Sequence, residues 1–299
     1  MIVNSILDKS IYFSFDQSGY HRHAKKFAPI TSESLSGKRF LVTGGTSGIG
    51  ESIVKNLLCF GAEALFTGRT LKSKTYENQF VALDLCCHDK VIEFAQKSET
   101  FDGIVLNAGG MPTEYSEHHG YEAQFASQVL GHFILLRKLM ELGKLNRGAQ
   151  VVWMSSGGMY MVKYNHSLIT NASEKYDKVG FYANAKRAQI ILNDYLHQTY
   201  HSKSDICFSV MHPGWVDTSG VRDAIPGFFN FTKNRLRTPD QGGDTAVWLL
   251  SHGKNPSGKF WFDRKIQKKV VFPWTKNSVL EREQLIELCE NYYHSICQN

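Results

Sequence analysis

No stretch of the 299 residues approaches the ~18 consecutive apolar residues that a membrane-spanning helix needs. The N-terminal run Met1 to Phe15 sets Asn4, Asp8 and Lys9 among its apolar residues, which is too polar for a signal-peptide core. It reads as an amphipathic helix packed on the body, with peripheral membrane contact as the alternative. Cysteine is sparse and unpatterned. The six residues include no Cys-x-x-Cys pair, and the adjacent Cys86 and Cys87 suit neither an ordinary disulfide nor a zinc site. Reduced thiols, no metal and a cytoplasmic setting are the expectation. Charge is modest too. A formal +6 makes no case for nucleic-acid binding but suits an anionic small ligand. Lys25-Lys26 and the cluster Arg264-Lys265…Lys268-Lys269 read as solvated surface. Internal repeats and low-complexity segments are lacking.

What is present starts with Leu41-Val42-Thr43-Gly44-Gly45-Thr46-Ser47-Gly48-Ile49-Gly50, between a short apolar strand and a run of helical spacing. Glycines let the backbone approach a pyrophosphate, and the first-turn N–H groups of the helix face the anion. The spacing Gly-x-x-x-Gly-x-Gly is not the standard Gly-x-Gly-x-x-Gly, so alone it is weak. Further short apolar runs follow: Ala64-Leu65-Phe66-Thr67, Phe80-Val81-Ala82-Leu83, Gly103-Ile104-Val105-Leu106, Val151-Val152-Trp153-Met154 and Ile206 to Met211. Phe260-Trp261-Phe262 reads as the last strand. Such runs, bounded by turn residues, are how strands buried on both faces of a parallel sheet read. Helical spacing over 90–97, 121–142, 183–200, 239–250 and 278–297 alternates with them. The pattern predicts an α/β fold, a doubly wound (Rossmann) parallel sheet of about seven strands with helices on both faces. Only residues 70–78 separate the second and third strands, too few for a normal crossover, so an abbreviated one with at most a turn of helix is expected.

Polar groups gather at the strand ends. Asp84 follows the third strand, Asn107-Ala108-Gly109-Gly110 the fourth, Ser155-Ser156 the fifth and His212-Pro213-Gly214 the sixth. His212 reads as structural. Tyr182 and Lys186 open the next helix and, at i and i+4, share one face. A nearby ammonium favours the phenolate and lowers a tyrosine pKa from about 10.

This constellation resembles the short-chain dehydrogenase/reductase family over roughly residues 38–262. The resemblance implies an oxidoreductase interconverting a carbonyl and an alcohol by hydride transfer. Tyr182 would be the general acid/base, Lys186 its pKa modifier and ribose anchor, and Ser156, rather than Ser155, the group holding the substrate oxygen. Gly44, Thr46, Ser47, Gly48, Ile49 and Gly50 would line the pyrophosphate. Asp84 and Leu85 would meet the adenine, Asn107, Ala108 and Gly109 the ribose side, and Pro213, Gly214, Val216 and Thr218 the nicotinamide. Gln128 stands where the family has a catalytic asparagine, which puts the proton-relay water in doubt. Arg69, with no acid nearby until Glu77, favours NADP(H), with NAD(H) the alternative. Residues 1–37 form an N-terminal extension packed on a single domain of 38–299, in which 217–241 is a lid. The aromatics of the lid suit an apolar substrate, and Arg222, Arg235 and Arg237 could meet an acidic tail on it. Family habit adds homo-oligomerisation as an expectation. The rival reading is a catalytically impaired member acting as a dinucleotide-binding scaffold.

Overall fold

The computed structural model describes residues 11–71, 73–170, 173–253 and 255–298. The part of the N-terminal run before Ile11 lies outside them. Eight strands form one sheet in the order β10-β9-β8-β7-β4-β1-β2-β3. They are β1 (Arg39–Thr43), β2 (Glu63–Gly68), β3 (Phe80–Ala82), β4 (Phe101–Leu106), β7 (Leu145–Met154), β8 (Cys207–Met211), β9 (Lys259–Phe262) and β10 (Lys265–Gln267). A separate two-stranded hairpin, β5 (Glu117–His118) and β6 (Tyr121–Glu122), lies between β4 and β7 in the chain. Seven of the eight strands run parallel, and β10 turns back antiparallel on β9. That edge strand was not legible in Lys265-Ile266-Gln267, which is too polar and too exposed to carry a buried-strand signature.

The strands' alternating side chains face two cores. Toward one side, Val42, Phe66, Val105 and Met154 pack under α3 (Gly48–Cys59) and α10 (Pro239–Ser251). Toward the other, Leu41, Ile104, Val151 and Trp153 pack under α4 (His88–Lys97), α6 (His132–Glu141) and α7 (Lys178–Ser204). The last helix, α11 (Val279–Cys297), lies outside α7 and buries Leu285, Cys289 and Tyr293. The crossover from β2 to β3 is two 3-10 turns merged at a kink on Tyr76, over Lys74–Gln79.

The helix expected over 121–142 is not continuous. After β6 a short α5 (Ala123–Phe125) opens into a π-helical turn, Ala126–Gly131, before α6 begins. Single π turns often sit at functional sites, and this one carries Gln128. The order of strands reverses between β1 and β4, which opens a crevice at their C-terminal ends.

The N-terminal segment docks beside that crevice as α1 (Ile11–Phe15) and α2 (Gln17–Ala24). Trp215 N–H donates to the Phe15 carbonyl at 2.8 Å and Gln17 N–H to that of Arg235 at 2.9 Å. Arg237, fully buried, donates to the Ser14 and Phe15 carbonyls and pairs bidentately with Asp263, which also meets His23 Nδ1 at 2.6 Å. Burial alone would raise Asp263, but His23 and Arg237 outweigh it and hold its carboxyl below the usual range. Ordering this segment thus depends on side chains more than 200 positions away.

Candidate active site

Thr43 ends β1 and its hydroxyl accepts the N–H groups of Asn107 and Ala108 at 2.9 and 3.0 Å. Asn107 returns its side-chain N–H groups to the carbonyls of Thr43 and Gly44, at 3.0 and 3.2 Å. Asn107 therefore braces the glycine turn against β4, its amide donors taken by the carbonyls of that turn. Gly44 has φ +69, and a Cβ there would stand 2.7 Å from Ala108 Cα. At Gly50 a Cβ would come within 2.2 Å of the Gly44 carbonyl oxygen. Both positions are closed to any side chain. Ser47 is the N-cap of α3 but does not cap it with its own side chain, so the first-turn amides face the crevice uncapped. Gly48 looks onto Thr218, whose Cγ2 would lie 3.3 Å from a Cβ at Gly48. This brings the base of the lid to the glycine turn. Thr218 itself caps α8 (Ser219–Ala224), accepting the Val221 N–H at 3.2 Å.

Gly45, with a Cβ that would strike the Phe66 ring, and Gly68, which abuts Thr46, join the turn to the end of β2. Arg69 follows there, exposed, and its charge reaches Cys86 just beyond Asp84. Asp84 accepts the Cys86 N–H at 2.9 Å. The Leu85 side chain lies in the core and its carbonyl oxygen packs against Gly131, where a Cβ would stand 2.3 Å from it, so neither is turned to a ligand. Positive-φ glycines, an open helix N-terminus and a cationic strand end fit a dinucleotide: Gly44 to Gly50 would take the pyrophosphate, and Arg69 and Asp84 the adenine half.

Across the crevice Ser156 stands near enough to the Tyr182 hydroxyl to pull its pKa downward, while its own hydroxyl accepts the Gly158 N–H at 3.3 Å. Ser155 differs from its neighbour. Its hydroxyl donates to the Lys186 carbonyl at 3.0 Å and pins α7 to the end of β7. Lys186 is almost fully buried, its Nζ donating to the Met154 carbonyl at 2.9 Å and lying 5.3 Å from the centre of the Tyr182 ring. Burial pushes Lys186 down to about 7. Burial also pushes Tyr182 up to about 12, against the opposing pull of the Ser156 hydroxyl. The sequence reading expected a lysine to depress this tyrosine. In the protein by itself burial dominates the shift of each group.

Gln128 reaches the same place. Its Nε2 donates to the Gly110 carbonyl at 2.7 Å, and its buried Oε1 has no partner among the described residues. A Cβ on Gly109 would lie 2.7 Å from that oxygen and 3.4 Å from Lys186 Nζ. The Gln128 backbone carbonyl accepts from Gln189 Nε2 at 2.9 Å and meets His132 Nδ1 at 3.0 Å. His132 is fully buried, with Nε2 at 2.8 Å from the Thr43 hydroxyl. Its Nδ1 can only donate to a carbonyl, so Nε2 accepts from Thr43. Burial first, then the Lys186 charge, pushes its pKa down to about 3. Thr43, His132 and Gln189 were not singled out from the sequence. The available signal was polar side chains in apolar stretches: Thr43 closing β1, His132 in α6 and Gln189 in α7.

The segment expected to form a lid carries α8 followed by α9 (Pro226–Thr232). Pro213 lends its carbonyl to Arg237 at 3.3 Å, Gly214 packs against the same guanidinium, and Val216 is buried in a bridge with Arg237. Phe228 packs edge-on to Trp215 at 5.2 Å. The lid arginines expected to meet an acidic substrate are already engaged: Arg222 with Asp217, Arg235 with Asp16 and Arg237 with Asp263. A cleft whose cations are neutralised in place does not ask for an acidic tail. His212 is structural, as its setting shows: it stacks on Phe262 at 4.1 Å, and burial pushes its pKa down to about 3.

With a glycine turn at the β1–β4 switch point and a Ser-Tyr-Lys group facing it, the chain belongs to the short-chain dehydrogenase/reductase family and is an oxidoreductase of it, since the family profile described as short chain dehydrogenase matches residues 38–226. Among its relatives, human Dehydrogenase/reductase SDR family member 12 is 32% identical over 297 residues, covering 92% of this chain and 93% of the relative. Human Polyprenol dehydrogenase is 26% identical over 279 residues, covering 84% and 83%. The fold matches the crystal structure of a short chain dehydrogenase from Burkholderia cenocepacia in complex with NADP, with a TM-score of 0.59 at 20% identity over 76% of this chain and 96% of that one.

Proposed function

We propose that the protein is an NADP(H)-dependent oxidoreductase that interconverts a carbonyl and an alcohol on an apolar small molecule, with Tyr182 as general acid and base. The observation that carries this reading is the clustering of Tyr182 with the buried Lys186, whose Nζ lies 5.3 Å from the centre of the phenol ring, next to Ser156. NADPH, when bound, supplies the hydride. Ser156 would hold the substrate oxygen, and the Tyr182 O–H would pass its proton to that oxygen as negative charge develops there. In the reverse direction Tyr182 would take the proton back. Lys186 would hold ribose hydroxyls and, when charged, favour the phenolate. The NADP preference is supported by Arg69 directly after β2 and by the absence of an acid there. The apolar substrate is supported by the aromatic lid and by a relative whose name is Polyprenol dehydrogenase.

The rival, a dinucleotide-binding scaffold without turnover, is supported by Gln128, whose backbone carbonyl is already taken by Gln189 and His132. Following nicotinamide absorbance with NADPH and a panel of apolar carbonyls separates the two. Turnover is expected, and Tyr182→Phe should lower it by about 10²–10⁴-fold while leaving NADPH affinity in place. Tight NADPH binding with no turnover on any carbonyl would favour the scaffold.

A further inference from the structure

From Arg264 to Leu280 the chain contains no acidic residue. It carries Arg264, Lys265, Lys268, Lys269 and Lys276, interleaved with Ile266, Val271, Phe272 and Trp274. Two of the cations are held in the body, Arg264 by Asp244 and Lys269 by Asp194. Lys265, Lys268 and Lys276 are exposed. So are three large apolar side chains, Ile266 at 50%, Val271 at 51% and Trp274 at 68%, and Phe272 stacks on Trp274 at 4.7 Å. A soluble surface rarely leaves a tryptophan and branched aliphatics this open in one short loop. Lysines on an edge strand discourage unwanted strand addition, but that role reaches only Lys265 in β10. Lys268, Trp274 and Lys276 lie beyond the strand.

The loop has a defined seat beside the candidate active site. Tyr160 donates its hydroxyl proton to the Lys268 carbonyl at 3.0 Å, and Arg187 donates to the carbonyls of Lys269 and Thr275 at 2.6 and 2.8 Å. Tyr160 belongs to the 3-10 turn Gly157–Met161 that follows Ser156, and Met161 in that turn is 60% exposed. Met161 thus follows in the chain directly on the residue that seats the basic loop. Phe15 packs against Gly157 on the same turn.

We propose that this face, residues 264–276 with Met161, docks on the surface of an anionic lipid bilayer. Aromatic and aliphatic side chains would enter the headgroup boundary while the lysines meet lipid phosphates and carboxylates. Charge complementarity selects this occupant: a loop with several exposed lysines and no acid suits an anionic surface, and its exposed tryptophan suits the water–hydrocarbon boundary. Docked this way, the protein would stand with its substrate cleft beside a reservoir of apolar molecules, a role that rests on the proposed apolar substrate.

Sedimentation with vesicles tests the docking without turnover. The full chain is expected to pellet with phosphatidylcholine–phosphatidylserine vesicles, weakly with phosphatidylcholine alone, and less at high salt. Lys268→Gln with Lys276→Gln should weaken partitioning by about fivefold for each lysine neutralised. Trp274→Ala should weaken it further, and the blue shift of tryptophan emission on binding should vanish in Trp274→Phe. Tyr182→Phe should bind vesicles like the parent chain, which separates failure of this proposal from failure of the catalytic one. No pelleting with anionic vesicles, or pelleting that these substitutions leave unchanged, overturns it. Retention on a polyglutamate matrix without vesicle binding also overturns it, in favour of an acidic protein partner.

Discussion

Gly50 shows how a single missing side chain shapes the dinucleotide end of the cleft. Its Cα faces the Gly44 carbonyl so closely that any Cβ would stand 2.2 Å from the oxygen. Gly50→Ala must therefore displace the turn or the start of α3, because the obstruction is backbone and cannot rotate aside. The expected result is a loss of dinucleotide affinity of roughly tenfold or more, about 1.4 kcal/mol, measured by titration calorimetry, with the far-ultraviolet circular dichroism unchanged. Unaltered affinity would mean that the pyrophosphate does not approach this turn. Gln128 is the residue least explained by family resemblance. In this fold its side chain ties the loop after β4 to the π turn through the Gly110 carbonyl.

At the level of elements, α1 and α2 are held by a buried ionic node together with one apolar anchor, Phe15, whose ring packs on His212, Trp215 and Phe262. Arg237 binds the Ser14 and Phe15 carbonyls while its charge is balanced by Asp263. Removing one member of such a pair leaves a buried charge, which typically costs about 3–5 kcal/mol. Arg237→Met should lower stability by that order in urea unfolding and should loosen the N-terminal segment first, read as faster proteolysis before residue 37. A loss below roughly 1 kcal/mol would show that Asp263 is adequately held by His23 alone. The same guanidinium donates to Pro213 and packs on Gly214, so the segment and the loop at the nicotinamide end of the cleft are coupled through one side chain.

Across the whole molecule, three buried histidines set an acid limit. His88, His132 and His212 are pushed from 6.5 down to about 4, 3 and 3, in each case first by burial. Their folded values lie below the unfolded one, so as pH falls the unfolded chain takes up their protons first. Their contribution to stability is complete above pH 6.5 and is lost as pH drops through the range between 6.5 and these folded values. Three protons correspond to about 4 kcal/mol per pH unit near pH 5. Urea midpoints measured between pH 7 and pH 5 should fall steeply. A flat profile would show that these imidazoles titrate in the folded protein as they do in the unfolded chain.

Much of this protein was legible in sequence because its informative signals are local. Buried parallel strands are short apolar runs, and the groups at their ends (Thr43-Gly44, Asp84, Asn107, Ser155-Ser156, Pro213-Gly214) follow immediately in the chain. Periodicity alone placed Tyr182 and Lys186 on one helix face, and strand–helix alternation determined the doubly wound class. Tertiary structure decided what depends on contacts distant in sequence. It supplied carboxylate partners for the lid arginines, turned Asn107 toward the glycine turn, interrupted the helix at Gln128 and added β10 to the sheet edge. It also reversed the expected direction of the Tyr182 shift, because desolvation is a property of everything packed around a side chain and is not written in the residues beside it.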